Sequence, residues 1–454
     1  MKFIIETYGC QMNVADSELI TTILTDDGFV VVDDISEAQI IIFNTCSVRD
    51  NAEQRVIGRI SNEVSRKAQN KDLLIGIVGC MAQRLGEELK KINKKIDFIV
   101  GVDQYKSLPE VIREQGSGIR CQVSGIRYKV SGVKNKKSPP TPLYKEGSFI
   151  ELNSEELYDQ IFPTRSNSLN AFVTIMRGCN NYCSYCIVPY VRGRERSRSV
   201  NEILNEIELA KIHDITLLGQ NVNSFNYKGI DFPDLLKKVN EIESVRRIRF
   251  ITSHPKDLSD KLIETMSLCE KVCEHIHLPM QSGNSDVLGK MNRGYTAEHY
   301  FESINKLRVA MPNIAITTDV IAGFPGETEV QFNDTMEMMK TIQFDFAFMF
   351  KYSERSGTKA CEFTDSVPEE VRLNRLQRLI DMQTEITTQK YKARIGAVEE
   401  IYVECISKRD SSEMSGKTKD FKITVFKGDE SLVGQFIKVK IVDAVGWTLK
   451  GIRV

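Results

Sequence analysis

The chain has almost no net charge, no long apolar run and no visible export signal, and each absence argues against a class of protein. Its 61 Lys and Arg against 62 Asp and Glu leave a formal charge of -1. No global field draws it to nucleic acid, so any such affinity must come from a local patch. The apolar runs stay far below the roughly 18 residues that cross a bilayer, which argues against a transmembrane helix. At the N-terminus, Lys2 precedes a short apolar run that passes directly into polar sequence with no small-residue cleavage site. The expected location is therefore the cytoplasm. In that reducing compartment the 11 cysteines are poor disulfide partners and better metal ligands.

What is present is enough for several cores: 454 residues, 41% of them apolar, suit two or three domains. Residues 1–116 alternate short apolar strands (Phe3–Tyr8, Ile40–Phe43, Leu73–Val78, Phe98–Val100) with helical stretches near Ser17–Thr25, Ala52–Ala68 and Gln83–Ile92. This is the pattern of an α/β, doubly wound parallel sheet. Residues 117–168 read as a linker or insertion, rich in Lys, Ser, Pro and Gly between Ser131 and Gly147. Across residues 169–390 six strand–helix units return, with strands near Ala171–Met176, Ile215–Leu218, Ile248–Thr252, His275–Leu278, Ala315–Ile321 and Phe344–Phe350. They suit a partial (β/α) barrel, closed by a helix over Glu369–Lys392. Residues 391–454 read as a small all-β barrel with strands at Glu400–Ile406, Phe421–Phe426, Phe436–Val442 and Trp447–Val454.

Five cysteines carry no spacing signal. Cys121, Cys361 and Cys405 stand alone, and Cys269 with Cys273 lacks a third partner, so all five are expected as small hydrophobes. Cys179, Cys183 and Cys186 form CxxxCxxC directly after the strand Ala171–Met176, where barrel active sites lie. A structural zinc site needs four ligands, and no fourth Cys or His is close in sequence. An iron-sulfur cubane held by three thiolates leaves one iron open for a ligand. Gly178 permits the tight turn, and Tyr185 is placed either to shield a cluster or simply to pack.

The segment Arg177-Gly178-Cys179-Asn180-Asn181-Tyr182-Cys183-Ser184-Tyr185-Cys186 resembles the signature of the radical S-adenosylmethionine (SAM) methylthiotransferases. The likeness continues in order through Leu218-Gly219-Gln220-Asn221-Val222-Asn223, Thr252-Ser253-His254-Pro255, Leu278-Pro279-Met280-Gln281-Ser282-Gly283 and Gly323-Phe324-Pro325-Gly326-Glu327-Thr328. It implies that the cysteine loop binds a 4Fe-4S cluster whose open iron is chelated by SAM. The implied SAM contacts come from Tyr185, Gln220, Asn221, Ser253, Gln281, Gly323 and Phe324.

The remaining cysteines, Cys10, Cys46 and Cys80, each stand just beyond a predicted strand of the first domain. Parallel strands would deliver the three thiols to one sheet edge, the edge where open α/β sheets bind ligands. The resemblance implies a second 4Fe-4S cluster there, with one iron open for sulfur. It further implies two SAM per turnover: one cleaved reductively to a 5′-deoxyadenosyl radical, one giving its methyl group to sulfur.

For the substrate, Arg192, Arg194, Arg196 and Arg198 lie just past the cluster loop and are expected to grip phosphates. The tail from Tyr391 holds 12 Lys and Arg against 9 Asp and Glu and resembles a TRAM domain, an RNA-binding barrel. Within the family, Gly9-Cys10-Gln11-Met12-Asn13, Asn44-Thr45-Cys46-Ser47-Val48-Arg49 and Val188-Pro189-Tyr190-Val191-Arg192-Gly193 resemble the branch that acts on isopentenyladenosine beside the anticodon of tRNA. Relatives acting on threonylcarbamoyl-adenosine or on a ribosomal-protein aspartate are the alternative. The implied partners are that tRNA, an electron donor such as flavodoxin or ferredoxin, and a sulfur or cluster donor.

Overall fold

The computed structural model describes residues 1–47, 50–67, 70–116, 148–152 and 155–454. The Pro- and Lys-rich stretch from Ser131 to Gly147, Cys121, and Val48-Arg49 of the second cysteine motif lie outside the described residues. The chain divides into two compact units. One comprises Met1–Ser166 with Ile187–Arg196, the other Asn167–Cys186 with Ser197–Val454.

The first unit is a six-stranded, wholly parallel sheet. Its strands are β1 (Lys2–Tyr8), β2 (Val30–Val31), β3 (Ile40–Thr45), β4 (Leu74–Gly79), β5 (Phe98–Val100) and β6 (Ser148–Phe149), in spatial order β2-β1-β3-β4-β5-β6. Every residue of β3 and β4 is buried, as a parallel sheet covered on both faces requires. The register pairs Tyr8 with Thr45 and Thr45 with Gly79. The three strands that precede the cysteines therefore end level with one another.

Three features of this unit differ from expectation. Helix α1 spans Gln11–Asp26 and so begins immediately after Cys10, well before Ser17. The reason is Asn13, a poor interior helix residue that here accepts the Cys10 amide on its side chain at 3.3 Å and so acts as a cap. The expected helix Gln83–Ile92 is two helices, Cys80–Leu85 and Glu88–Ile92, divided at Gly86 with φ +49°. The end of the expected linker is core: Tyr158 stacks on Tyr105 at 5.6 Å and donates to the Val102 carbonyl at 2.8 Å.

The second unit holds six parallel strands in chain order, as two triplets. Asn170–Thr174, Asp214–Leu218 and Arg247–Phe250 pair in one; His275–His277, Ala315–Ala322 and Phe346–Lys351 pair in the other. A parallel bridge between Ile248 and Val272 links the end of the first triplet to the segment entering the second. This is the open, partial barrel that the sequence implies, and the helix over Glu369–Lys392 lies where it was expected. The last 57 residues fold as a closed five-stranded barrel in the order Val398–Ile406, Glu413–Lys417, Ile423–Lys427, Thr448–Arg453, Phe436–Val445. Its second strand is not visible in the sequence because Glu413-Met414-Ser415-Gly416-Lys417 has almost no strand-forming composition. Gly416 is needed there: a Cβ would lie 2.2 Å from the Tyr402 carbonyl oxygen.

Within this unit the small barrel is tied to strand Arg247–Phe250 by guanidinium-to-carbonyl bonds. Arg247 donates to the Lys417 and Glu400 carbonyls at 2.8 Å each, and Arg249 to those of Lys419 (2.8 Å) and Thr418 (3.0 Å). Among the described residues no helix is long and apolar enough to cross a membrane.

Candidate active site

At the mouth of the partial barrel, Gly178 takes φ +81° and donates its amide to Gln220 Oε1 at 2.5 Å, which turns the chain from its strand into the cysteine loop. The far half of that loop is held in place. Ser184 donates its amide to the Met291 carbonyl and its hydroxyl to that of Lys290, each at 2.9 Å, and its own carbonyl accepts from Ala360 at 2.8 Å. Cys183 is consequently buried, and Arg293, itself buried, donates to its sulfur at 3.3 Å. Arg293 also donates to the Tyr185 hydroxyl (3.4 Å), to that of Tyr295 (3.1 Å) and to the Pro279 carbonyl (3.1 Å). Burial drives the Tyr185 phenol well above its ordinary pKa, and the ring meets Phe324 edge-on at 6.5 Å.

The neighbouring strand ends present buried polar atoms with no protein partner: both side-chain polar atoms of Asn223, Ser253 Oγ, His254 Nε2 and Gln281 Oε1. Such atoms are costly unless a ligand or water meets them. Thr252 (φ +71°) and Gln281 (φ +67°) hold left-handed backbone at the same ends, the kind of strain that collects where a site is built.

Three residues expected at this site turn out otherwise. The Asn221 side chain is consumed, donating to Asp257 at 2.7 Å and accepting from the His254 amide at 3.1 Å. Gly323 spends its amide on Glu327 at 2.7 Å and lies under Arg372. Phe324 is 0% exposed, packed against Tyr352 and Phe363, and offers no face to a cofactor. Of the other expected residues, Gln220 accepts from the Gly178 amide, and Ser253 and Gln281 are buried with an unpaired side-chain oxygen.

In the first unit Cys10, Cys46 and Cys80 follow the level ends of β1, β3 and β4. Gly9 leaves room for Cys46, whose Cβ would otherwise be 2.9 Å from a side chain there. Asn13 and Asn44 lock the first turn of α1 to the end of β3: Asn13 Nδ2 donates to Asn44 Oδ1 at 3.0 Å, and Asn44 Nδ2 donates to the Asn13 carbonyl at 2.8 Å. A hydrogen bond from Cys46, then the charge of Arg192 and the first amides of α1, draw the Cys10 thiol down to about 6 despite its burial. Burial pushes Cys80 up. Each unit thus carries three cysteines at or just beyond strand ends, free of disulfides. Among the described residues no three His, Cys, Asp or Glu side chains are close enough to share a single ion.

The arginine run does not form a phosphate grip. Arg192 is 3% exposed and donates to Asp16 at 2.8 Å and to the Cys80 sulfur at 3.2 Å. Arg196 is buried on Asp103 at 2.9 Å, and Arg198 is buried on Glu206 and the Thr174 carbonyl at 2.7 Å each. Only Arg194 of the four is exposed. A charge run reads as solvated from sequence, and nothing in the sequence announces the distant carboxylates that bury it. Arg293, in Asn292-Arg293-Gly294, carries no motif of its own and was not expected at the site.

Comparison with known proteins agrees with this arrangement segment by segment. Residues 2–101 match Uncharacterized protein family UPF0004, residues 173–339 the Radical SAM superfamily, and residues 392–454 the TRAM domain. Among solved structures, the fold resembles the radical S-adenosylmethionine methyltransferase TsrM from Kitasatospora setae, with TM-score 0.59 and 14% identity over 79% of this chain and 74% of that one. It also resembles the cobalamin-dependent S-adenosylmethionine radical enzyme OxsB, with TM-score 0.53 and 12% identity over 83% and 56%. Fold and matches together define a radical SAM protein with a C-terminal TRAM domain. Relatives at full length narrow this. The tRNA-2-methylthio-N(6)-dimethylallyladenosine synthase of Clostridium botulinum (strain Langeland / NCTC 10281 / Type F) is 43% identical over 99% of this chain and 96% of its own length. Those of Thermoanaerobacter sp. (strain X514) and Syntrophomonas wolfei subsp. wolfei (strain DSM 2245B / Goettingen) are each 42% identical, over 98% and 91%, and 99% and 97%, respectively. The chain belongs to the family of the tRNA-2-methylthio-N(6)-dimethylallyladenosine synthases.

Proposed function

We propose that this protein attaches a methylthio group to C2 of N6-isopentenyladenosine beside the anticodon of tRNA, drawing on two 4Fe-4S clusters and SAM. The observation that supports the reading is that three cysteines follow strand ends in each unit, Cys10, Cys46 and Cys80 in one and the Cys179–Cys186 loop in the other. One triad suffices for radical generation, and the second is the feature a sulfur-inserting enzyme needs. Bound at these triads, the clusters and SAM would supply a carbon radical able to abstract an unactivated aromatic hydrogen, together with the sulfur and methyl to be delivered.

The chain's own part is to hold, orient and shield. Cys179, Cys183 and Cys186 bind the radical-generating cluster, and Arg293 fixes Cys183 while its guanidinium faces the thiolate charge. Ser253 Oγ and Gln281 Oε1 are unspent polar atoms suited to the polar parts of SAM, and Gln220 shapes the loop entrance through Gly178. Cys10, Cys46 and Cys80 hold the second cluster. The TRAM barrel and exposed Arg194 contact the RNA, whose modified base must be presented unstacked, as bases of a loop can be. An electron donor such as flavodoxin or ferredoxin and a sulfur or cluster donor complete the cycle in the cytoplasm.

Nucleoside mass spectrometry of tRNA from cells lacking the protein tests this. Loss of the methylthio group from isopentenylated adenosine, with the isopentenyl group retained, is the expected result. An unchanged nucleoside profile would overturn it and favour a protein side chain as substrate.

A further inference from the structure

Arg192 comes from a helix, Val188–Arg192, that directly follows the radical-cluster loop in sequence, yet its side chain belongs to the N-terminal triad. It is 3% exposed, and its Nε donates to Cys80 Sγ at 3.2 Å. Asp16, itself 0% exposed on α1, accepts from Nη2 at 2.8 Å and also accepts from the Tyr105 hydroxyl at 3.3 Å. The other terminal nitrogen, Nη1, is buried with no hydrogen-bond partner. A guanidinium with five donors fully sequestered beside one carboxylate is badly under-satisfied unless something else nearby accepts from it.

We propose that Arg192 is a positioning residue for the N-terminal iron-sulfur centre: it bonds the Cys80 sulfur, supplies the positive charge that offsets the thiolates, and keeps Nη1 for a further acceptor at the same centre. Asp16 sets how much of that charge the centre feels. The inference rests on the reading that Cys10, Cys46 and Cys80 hold a cluster. Hydrogen bonds to cluster sulfurs and nearby positive charge favour the more negative, reduced state. Arg192 therefore raises the reduction potential of this centre and Asp16 lowers it.

The test uses the full chain with Cys179, Cys183 and Cys186 all replaced by Ala, so that only the N-terminal centre is present. Reconstituted iron per chain is measured first, and absence of iron in this parent would overturn the two-cluster reading itself. With iron present, Arg192→Gln should shift the midpoint potential of the centre to more negative values, Asp16→Asn should shift it to more positive values, and Arg192→Lys should restore part of the first shift. Opposite signs are diagnostic, because a merely structural loosening would move both variants the same way. Unchanged potentials, or shifts of one sign, in variants that retain iron overturn the proposal. If Arg192→Gln loses iron, the Asp16→Asn shift in the iron-bearing chain decides.

Discussion

Arg293 Nη1 stands 3.3 Å from the sulfur of Cys183, and the same guanidinium reaches the Pro279 carbonyl and the Tyr295 hydroxyl. One side chain thereby couples the cysteine loop to the segment following strand His275–His277. Removing its head would take a hydrogen-bond donor from a buried sulfur and from a buried carbonyl. Arg293→Met should destabilise the second unit by about 3 kcal/mol in denaturant titration and lower iron retention at the Cys179/Cys183/Cys186 site. Full retention of both iron and stability would show that the guanidinium is dispensable to the loop.

Gly79 sets the approach of Cys80. It holds φ +90°, and a Cβ there would lie 2.5 Å from Asn44 Oδ1 and 2.7 Å from the Thr45 carbonyl oxygen. Gly79→Ala combines left-handed strain with a backbone clash and should cost about 2–4 kcal/mol, read as a lower denaturation midpoint. Gly28 has a similar φ of +87° but open space around it. Gly28→Ala should therefore show the strain alone, at about 1 kcal/mol. Equal costs at the two positions would mean that the Asn44–Thr45 end of β3 yields freely.

The arginine run gives a contrast within five residues. Arg198 is enclosed with Glu206 at 2.7 Å, so Arg198→Ala breaks a buried ion pair and should cost about 3 kcal/mol. Arg194, exposed, should change stability by no more than about 0.5 kcal/mol when replaced by Ala, while weakening tRNA binding in a salt-dependent filter or anisotropy assay. Tight, salt-insensitive binding by Arg194→Ala would remove it from the RNA surface.

These residues also mark where the sequence is readable. Cys10, Cys46 and Cys80 could be grouped because each follows an apolar strand, and parallel strands of equal phase end together. The partial barrel and the helix Glu369–Lys392 were visible through period alone. The arginines were not: whether Arg192 meets solvent or Cys80 depends on Asp16, 176 residues away in sequence, and long-range pairing leaves no local pattern. Strand Glu413–Lys417 was hidden for a related reason, since a closed barrel can enlist a segment of poor strand propensity once its neighbours offer hydrogen bonds on both sides. The start of α1 was expected near Ser17 rather than Gln11 because capping residues such as Asn13 and loop residues are of the same types.

Acid should weaken the second unit through His275. This ring is buried, its Nε2 lies 3.2 Å from Thr317 Oγ1, and it packs on Phe421 at 5.1 Å. Burial first, and then the nearby charge of Arg249, push its pKa from 6.5 down to about 3. The folded chain therefore keeps a neutral ring at every pH above about 3, whereas the unfolded chain binds a proton below about 6.5. As pH falls through that window the unfolded state gains protons that the folded state cannot, so stability is full above it and declines by about 1.4 kcal/mol per pH unit for this group. His275→Gln keeps a donor near Thr317 and has no such proton to bind. Its stability deficit relative to the parent, measured by urea unfolding, should be largest at pH 7 and shrink by about 2 kcal/mol between pH 6.5 and pH 5. Taking the difference between the two proteins cancels the carboxylates and the other histidines, which titrate alike in both. A deficit that stays constant across that range would mean that His275 takes up its proton in the folded state.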